Sequence, residues 1–420
     1  SASPGDDLTQ LQIALAQLWA RDDFVTDTVL AYDTTNFYTY IDSKNERCEL
    51  ARRGHNKQGR HDLRQVGLAY AMDGNSGMGL FHHTYPGNRT DAEEFVVSLP
   101  LMLEVLAGSG ISPSAVTLVF DKGASGMLTT VELEDSGLGW ISALPWSQAP
   151  KEMREVPVEQ MQCCSSALPG IRVKKGEALV HGRPATCVVM HSSVFESEQL
   201  HSLMANVSKA CSKLRALARA LSKSRRKSAR ETVEKSIAAI LAAQWLDRLI
   251  ATELEGSKEQ GWSLQFSVDN TALTELLTHR LGKTVLATSR ADWSAERVAS
   301  AYHGQAAIER QFRSMKEGEG SSWGPMFAWT DSKIRVHSFY CMLGLSLVNW
   351  LHRRTRDAHI DMSVEHMLEQ LDGLQEIVLL YPSSTPGPKP TAKVDTRESL
   401  DQIQLIKTLG LDRLHGRHSG

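Results

Sequence analysis

The residues best suited to chemistry lie in the stretch AYHGQAAIERQFRSMK, at 301–316. One acid, Glu309, is followed there by three bases, Arg310, Arg313 and Lys316. A carboxylate on a helix can hold a divalent cation while the bases beside it bind a polyanion. The alternative is a surface helix with ordinary ion pairs between residues four apart. The stretch taken alone leaves both interpretations open.

Two further acids end apolar runs elsewhere in the chain. Asp33 ends the run TVLAYD, and Asp121 ends the run VTLVFD. Both runs are typical of buried strands. Two strand acids followed much later by a helix acid are the arrangement by which an RNase H-like core assembles three carboxylates. We therefore predict an α/β fold in which a mixed sheet flanked by helices brings Asp33, Asp121 and Glu309 together.

Three acids in one cleft repel one another. Two carboxylates ~4 Å apart repel by about 1 kcal/mol in bulk water and by about 4 kcal/mol at the effective dielectric of a partly buried site. Divalent cations remove this repulsion, and carboxylate oxygens favour Mg2+ or Mn2+ over zinc. The predicted cleft therefore suits metal-assisted displacement at phosphorus, in which two ions serve the attacking and the leaving oxygen.

Four residues around Glu309 keep the spacing of a known motif: Tyr302, then Gln305, Glu309 and Lys316. This pattern resembles the one in DDE transposases of the insertion-sequence 4 superfamily, most closely the group typified by insertion sequence 1634. Those proteins have arginine where this chain has Gln305. Further similarity lies at 54–66, 85–91 and 329–339, and the resemblance spans roughly residues 28 to 355.

The resemblance implies a transposase that cuts transposon ends and joins them to target DNA, with two Mg2+ ions per active site that Mn2+ can replace. Asp33, Asp121 and Glu309 are then the catalytic residues and the metal ligands. Tyr302 and Lys316 hold phosphates of the transposon end. The implied partners are the terminal inverted repeats, target DNA and a second copy of the chain in the synaptic complex. The implied location is the cytoplasm of a bacterium, at the nucleoid.

Further DNA contacts are expected from residues near these acids. The position of Gln305 in the motif makes it one of them, although glutamine removes the phosphate contact that arginine makes. The segment 52–61 is either a loop that grips phosphates or a solvated hairpin. The other expected contacts are Arg310, Arg313, Lys122, Arg53, His55, Lys57 and Arg60.

Several other acids have simpler explanations. Asp62 and Asp73 follow loops and suit turns. Asp91, Glu93 and Glu94 fit the first turn of a helix, where negative charge is favourable. We therefore interpret them as structural residues and not as metal ligands.

Composition sets the limits of these interpretations. The chain has 420 residues, 41% hydrophobic and 23% charged, as in soluble globular proteins. A net charge of -3 excludes nucleic-acid binding by overall charge, so DNA contacts must be local basic patches. The six cysteines show no C-x-x-C spacing and suit reduced thiols in a cytosolic protein. No segment approaches the ~18 apolar residues of a membrane span. The start at Ser1, without an initiator methionine or signal peptide, suggests a processed or trimmed end.

Five regions are predicted along the chain. A helical segment at 1–24 precedes the first part of the core at 25–145, and it is either a cap on the core or part of a DNA-binding or dimerisation segment. An α+β insertion domain follows at 146–290, and the second part of the core at 291–355 carries the Glu309 helix. The region 356–420 combines helix, linker and tail.

Several local elements are also predicted. Strands are predicted at 29–40, 48–52, 66–72 and 78–82, and a long helical tract is predicted at 196–254. Nine cations without an acid lie at 209–230 in that tract, as a solvated face or a surface for the DNA backbone.

Two other functions remain open. A domesticated relative would bind DNA without moving it, although the three intact acids argue against lost catalysis. A structure-selective nuclease of the same fold would cut DNA without strand transfer.

Overall fold

The computed structural model describes residues 4–21, 29–54, 59–121, 127–223, 229–257, 261–318, 322–324, 326–380, 391–395 and 399–411. The chain divides into two compact units, one formed by Ser1–Ile141 with Ala301–Gly420 and the other by Ser142–Ser300. The second unit is therefore an insertion into the first. All three predicted catalytic acids belong to the first unit.

The first part of the first unit alternates strands and helices. Its elements are α1 (Pro4–Arg21), β1 (Val29–Thr39), β2 (Arg64–Asp73), β3 (Gly79–Pro86), α2 (Asp91–Gly108), β4 (Thr117–Phe120), α3 (Met127–Ser136) and β5 (Gly139–Ala143).

The second unit begins within the last residues of β5 and ends within a helix. Its elements are α4 (Lys151–Arg154), β6 (Gln162–Cys163), β7 (Ile171–Val180), β8 (Arg183–Ser192), α5 (Ser193–Lys223), α6 (Arg230–Ile240), α7 (Leu246–Leu249), β9 (Ile250–Ser257), β10 (Gly261–Val268), α8 (Asn270–His279), β11 (Lys283–Thr288) and α9 (Ala295–His303).

The rest of the chain returns to the first unit. Its elements are α10 (Ala306–Glu317), α11 (Asp331–Asp357), α12 (Val364–Asp372), β12 (Glu376–Leu380), β13 (Thr391–Asp395) and α13 (Leu400–Leu409).

The sheet of the first unit has the order β3-β2-β1-β4-β5. Strand β2 is antiparallel to both β1 and β3, whereas β4 is parallel to β1. Helix α2 packs on β2 and β3, α10 packs on β1, and α11 packs on β3. The predicted fold class, an α/β fold with a mixed sheet flanked by helices, is confirmed.

Helix α10 is held on this sheet by one apolar stripe. Ile308, Phe312 and Met315 recur at helical spacing, and all three are buried in a core that includes Leu68 and Tyr70 of β2. The rings of Tyr70 and Phe312 lie 6.1 Å apart. Burying such side chains contributes roughly 1.5–3 kcal/mol each. This apolar stripe therefore fixes which face of α10 turns toward solvent.

Two local predictions were wrong. The segment 48–52 is not a strand, because the backbone N–H groups of Glu49 and Leu50 donate to the carboxylate of Asp331 at 2.9 and 3.0 Å. Only a single bridge, between Arg52 and Gln65, joins it to the sheet in the described residues. The tract 196–254 is not one helical region either, since 250–254 belongs to β9 and pairs with β10.

The second unit has its own strands and core. Its strands β11, β8, β7 and β6 lie side by side in that order, and β9 and β10 form a separate hairpin. Helix α5 packs on β10, and Leu203 and Leu214 of α5 share a buried cluster with Trp262 and Leu264 of β10. The unit therefore has a buried core that does not depend on the first unit.

The predicted linker 382–390 and the tail beyond Leu411 lie outside the described residues.

In the part of the chain that the structure describes, every helix is too short or too polar to cross a membrane.

Candidate active site

Asp33 and Asp121 lie on two neighbouring parallel strands, Asp33 within β1 and Asp121 directly after β4. The register of β1 and β4 pairs Val29 with Thr117 and Tyr32 with Phe120. Asp33 and Asp121 are the residues that directly follow this last pair. Neighbouring strands lie about 4.8 Å apart, so the two carboxylates emerge from adjacent backbone positions. Both residues are half-buried.

The backbone fixes the carboxylate of Asp33. The N–H of Thr34 donates to Asp33 Oδ1 at 2.8 Å, and the hydroxyl of Thr34 donates to Asp91 Oδ1 at 2.7 Å. Asp91 begins α2, so the helix is tied to the strand next to the candidate ligand. This contact gives Asp91 a role beyond starting a helix.

Tyr302, at the end of α9, lies among the predicted catalytic acids. Burial raises the pKa of its phenol above the ordinary value, and the negative charges of Asp121, Glu309 and Asp33 raise it further, as does the hydrogen bond to Asp121. A carboxylate shifts a neighbouring pKa most strongly within about 4–6 Å. The charges of all three acids therefore act on the phenol of Tyr302. Its phenol stays protonated and donates to the carboxylate of Asp121.

Glu309 lies on the exposed side of α10, one residue beyond buried Ile308. The C-terminal end of the same helix is tied to β1. Lys316 Nζ donates to the buried hydroxyl of Thr35 at 2.6 Å and lies 5.7 Å from the centroid of the Phe37 ring. The ammonium group is thus held two residues along the strand from Asp33.

Tyr302, Gln305, Glu309 and Lys316 do not lie on one continuous helix. The helix breaks between α9 and α10, where Gly304 and Gln305 form a turn. Glycine has a low helix propensity, which favours such a break. The backbone N–H of Gln305 donates to the carbonyl of Tyr302 at 3.1 Å. Gln305 itself is 5% exposed, so it is packed inside the protein and not presented to a ligand.

The donor set fits a hard divalent cation by its chemistry, because Asp33, Asp121 and Glu309 all offer carboxylate oxygens. In the described ranges, however, no three His, Cys, Asp or Glu side chains lie close enough together to hold a metal ion. The strand acids are adjacent, and Glu309 contributes charge to the same space without completing a cluster. The structure thus contains the parts of the predicted site but not a formed three-carboxylate cage.

The other predicted DNA contacts differ in their surroundings. Arg310 and Arg313 are exposed on α10, and no ion pair involves them among the described residues. Arg53 donates to Ser43 Oγ at 3.4 Å. Arg60 is already paired with Asp62, with nitrogen–oxygen distances of 3.1 and 3.2 Å. Three predicted contacts lie outside the described residues, namely Lys122, His55 and Lys57.

The structure describes part of the cation-rich segment 209–230. Four of its cations are exposed on α5, and no ion pair joins them to an acid in the described part of the chain; they are Lys209, Lys213, Arg215 and Arg219. Residues 224–228 lie outside the described ranges. The exposed cations leave open both a solvated face and a DNA surface.

Glu94 lies in the first turn of α2 as predicted, and it has partners that the sequence did not indicate. Its side chain is buried, with Oε1 2.7 Å from His83 Nδ1 and Oε2 2.6 Å from Arg89. Ser98 donates to Oε1 at 2.8 Å, and the Tyr32 hydroxyl lies 3.1 Å from Ser98 Oγ. A buried charge needs such partners. The interpretation as a structural first-turn acid holds for Glu93, which forms a capping box with Thr90, and for Glu94, which also binds His83 and Arg89.

Comparisons with known proteins give little support to the predicted transposase function. No family model matches the chain, and no curated protein matches it. Among solved structures, a cryo-EM structure of the piggyBac transposase synaptic complex with hairpin DNA aligns at 8% identity with a TM-score of 0.38. The alignment covers 84% of this chain and 55% of that chain, so this chain spans about half the length of that protein. At this level the likeness carries neither fold nor function across.

Proposed function

We propose that this protein is a DNA transposase that cuts transposon ends and joins them to target DNA with the help of divalent cations. The observation that supports this most is the register of the parallel strands β1 and β4, in which Asp33 and Asp121 directly follow the paired residues Tyr32 and Phe120. The motif around Glu309 resembles that of DDE transposases, and this resemblance is the basis for the class of reaction that we propose. Binding of the inverted repeats and of target DNA, and assembly as a homodimer, belong to the same proposal.

Asp33, Asp121 and Glu309 would hold Mg2+ or Mn2+ through carboxylate oxygens. Two bound ions would lower the pKa of a nucleophilic water or hydroxyl and neutralise charge on the leaving oxygen. Cleavage and strand transfer differ only in the nucleophile. One set of ligands therefore serves both reactions.

The side chains around the acids have separate roles in this proposal. Tyr302 is a positioning residue, because its protonated phenol donates to Asp121 and restricts the rotation of that carboxylate. Lys316 remains attached to Thr35 and places a positive charge beside β1. Arg310 and Arg313 face solvent on the helix that carries Glu309 and would contact DNA phosphates. Buried Gln305 would take no part in DNA contact.

A DNA cleavage assay tests the function directly. The substrate is DNA carrying the ends of the element that encodes this chain, with randomised ends as the control substrate. Cleavage is expected with Mg2+ or Mn2+ and is expected to disappear with excess EDTA. Binding to the intact ends without cleavage under any of these conditions would favour the domesticated DNA-binding protein.

A second reaction separates a transposase from a nuclease. An end already cut to expose a 3'-hydroxyl is incubated with a circular plasmid and Mn2+. A transposase joins the end to the plasmid, which is seen as a labelled product of higher mass. Cleavage without any joining would favour a structure-selective nuclease of the same fold.

A further inference from the structure

The second unit contains a cavity of about 470 Å³ that is lined by basic and aromatic side chains. This volume lies within the range of small-ligand sites, about 300–1,000 Å³. Four cations and two acids line it along with two tryptophans; the cations are Lys151, Arg154, Arg248 and Arg280. Because Lys151 pairs with Glu155 at 3.7 Å, the remaining charge of the cavity comes mainly from arginines.

Arg280 is the most constrained of these arginines. Its guanidinium carbon lies 4.2 Å from the centroid of the Trp146 ring and 5.7 Å from that of Trp245. Burial lowers its pKa. One of its N–H groups donates to the carbonyl of Lys283 at 3.3 Å, and no carboxylate pairs with it in the described part of the chain. A guanidinium has five N–H donors, so most of them remain available.

Arg154 adds a second guanidinium beside the same indole. Its guanidinium carbon lies 5.9 Å from the Trp146 ring centroid. Its Nε is buried and has no hydrogen-bond partner among the described residues. A buried donor without a partner is costly.

Trp245 forms part of the wall in an unfavourable backbone conformation. Its φ of 68° lies in the left-handed region, which bulky residues rarely adopt. Such strain persists where the surrounding structure maintains it, and it clusters at ligand sites. The half-buried indole beside the arginines offers a flat apolar surface.

We propose that this cavity binds a nucleotide, with the phosphate held by Arg154 and Arg280 and the base against Trp245. Arginine suits phosphate because its planar fork donates two parallel hydrogen bonds. Tryptophan suits the base because every base has a face that can stack. The nucleotide belongs either to a single strand of DNA or to a free nucleoside triphosphate. The site uses none of the proposed catalytic acids.

Binding of two fluorescent probes to the full chain tests this site. The probes are an end-labelled oligodeoxythymidine and a labelled adenosine triphosphate, both measured by anisotropy in EDTA so that no catalytic metal contributes. Arg280→Gln and Arg154→Gln are each expected to weaken binding of at least one probe about tenfold. For the single strand, each substitution is also expected to lower the salt-dependence slope by about 0.7.

Arg297→Gln is the matched control. Its guanidinium carbon lies 3.9 Å from the Trp293 ring centroid, in the same unit but outside the cavity, and its loss should leave both affinities unchanged. Arg280→Lys keeps the charge but lacks the planar fork. It replaces Arg280→Gln if circular dichroism shows that Arg280→Gln does not fold. Loss confined to the triphosphate identifies a free-nucleotide site, and loss for the oligonucleotide identifies a DNA site. Affinities for both probes that match those of Arg297→Gln would overturn the proposal.

Discussion

Replacing Asp121 by asparagine is expected to lower the rate of metal-dependent DNA cleavage by about 10³-fold or more, because metal stabilisation of the transition state is worth several kcal/mol. The substitution keeps the size of the side chain and its position after β4. It removes the negative charge that a divalent cation requires. Asp33→Asn and Glu309→Gln are expected to have comparable effects, since each removes one of the three proposed ligands.

End binding separates this effect from misfolding. The three variants should bind the transposon ends in EDTA about as tightly as the unaltered chain, as measured by mobility shift. Glu104→Gln removes an exposed acid from α2 in the same unit and serves as the control that should keep full activity. Cleavage that survives in one of the three variants would exclude that residue from the metal site.

Phe312→Ala is expected to reduce the free energy of unfolding of the first unit by about 3–5 kcal/mol. Phe312 is 5% exposed in the core beneath α10 and lies against Tyr70 of β2. Truncating it leaves a cavity between the helix and the sheet. Because α10 carries Glu309 and Lys316, cleavage should fall along with stability.

Urea unfolding followed by circular dichroism measures the loss of stability. Arg313→Ala is the neighbouring control, since this exposed side chain should change the free energy of unfolding by no more than about 0.5 kcal/mol. Equal stability of the two variants would contradict the packing of α10 on the sheet.

The sequence was sufficient for the elements that follow local rules and carry the proposed site. An apolar run ending in an acid located Asp33 and Asp121, because buried strands have a recognisable composition. The spacing of Ile308, Phe312 and Met315 identified the buried face of α10. Both signals lie within a few neighbouring residues.

Features that depend on distant residues were not predictable. The segment 48–52 has the composition of a strand, but Asp331, far away in the sequence, binds its backbone N–H groups. Glu94 is an ordinary first-turn acid by its sequence position, and only the fold places His83 and Arg89 against it. Arg60 lies two residues before Asp62, and the ion pair between them competes with the predicted DNA contact of Arg60.

The turn between α9 and α10 was not predicted from the motif. The spacing from Tyr302 to Lys316 suits one continuous helix, but the structure has a turn at Gly304. The turn buries Gln305 and points Tyr302 toward Asp121. Glycine inside a helical pattern was the available warning.

Anomalous diffraction from crystals of the protein soaked in Mn2+ tests the central claim most directly. We predict two anomalous peaks about 3.5–4 Å apart, bound by the carboxylates of Asp33 and Asp121, with Glu309 ligating one of them. Crystals that contain Mn2+ elsewhere but show no peak beside Asp33 and Asp121, or that show Glu309 turned away from an ion bound there, would contradict the account.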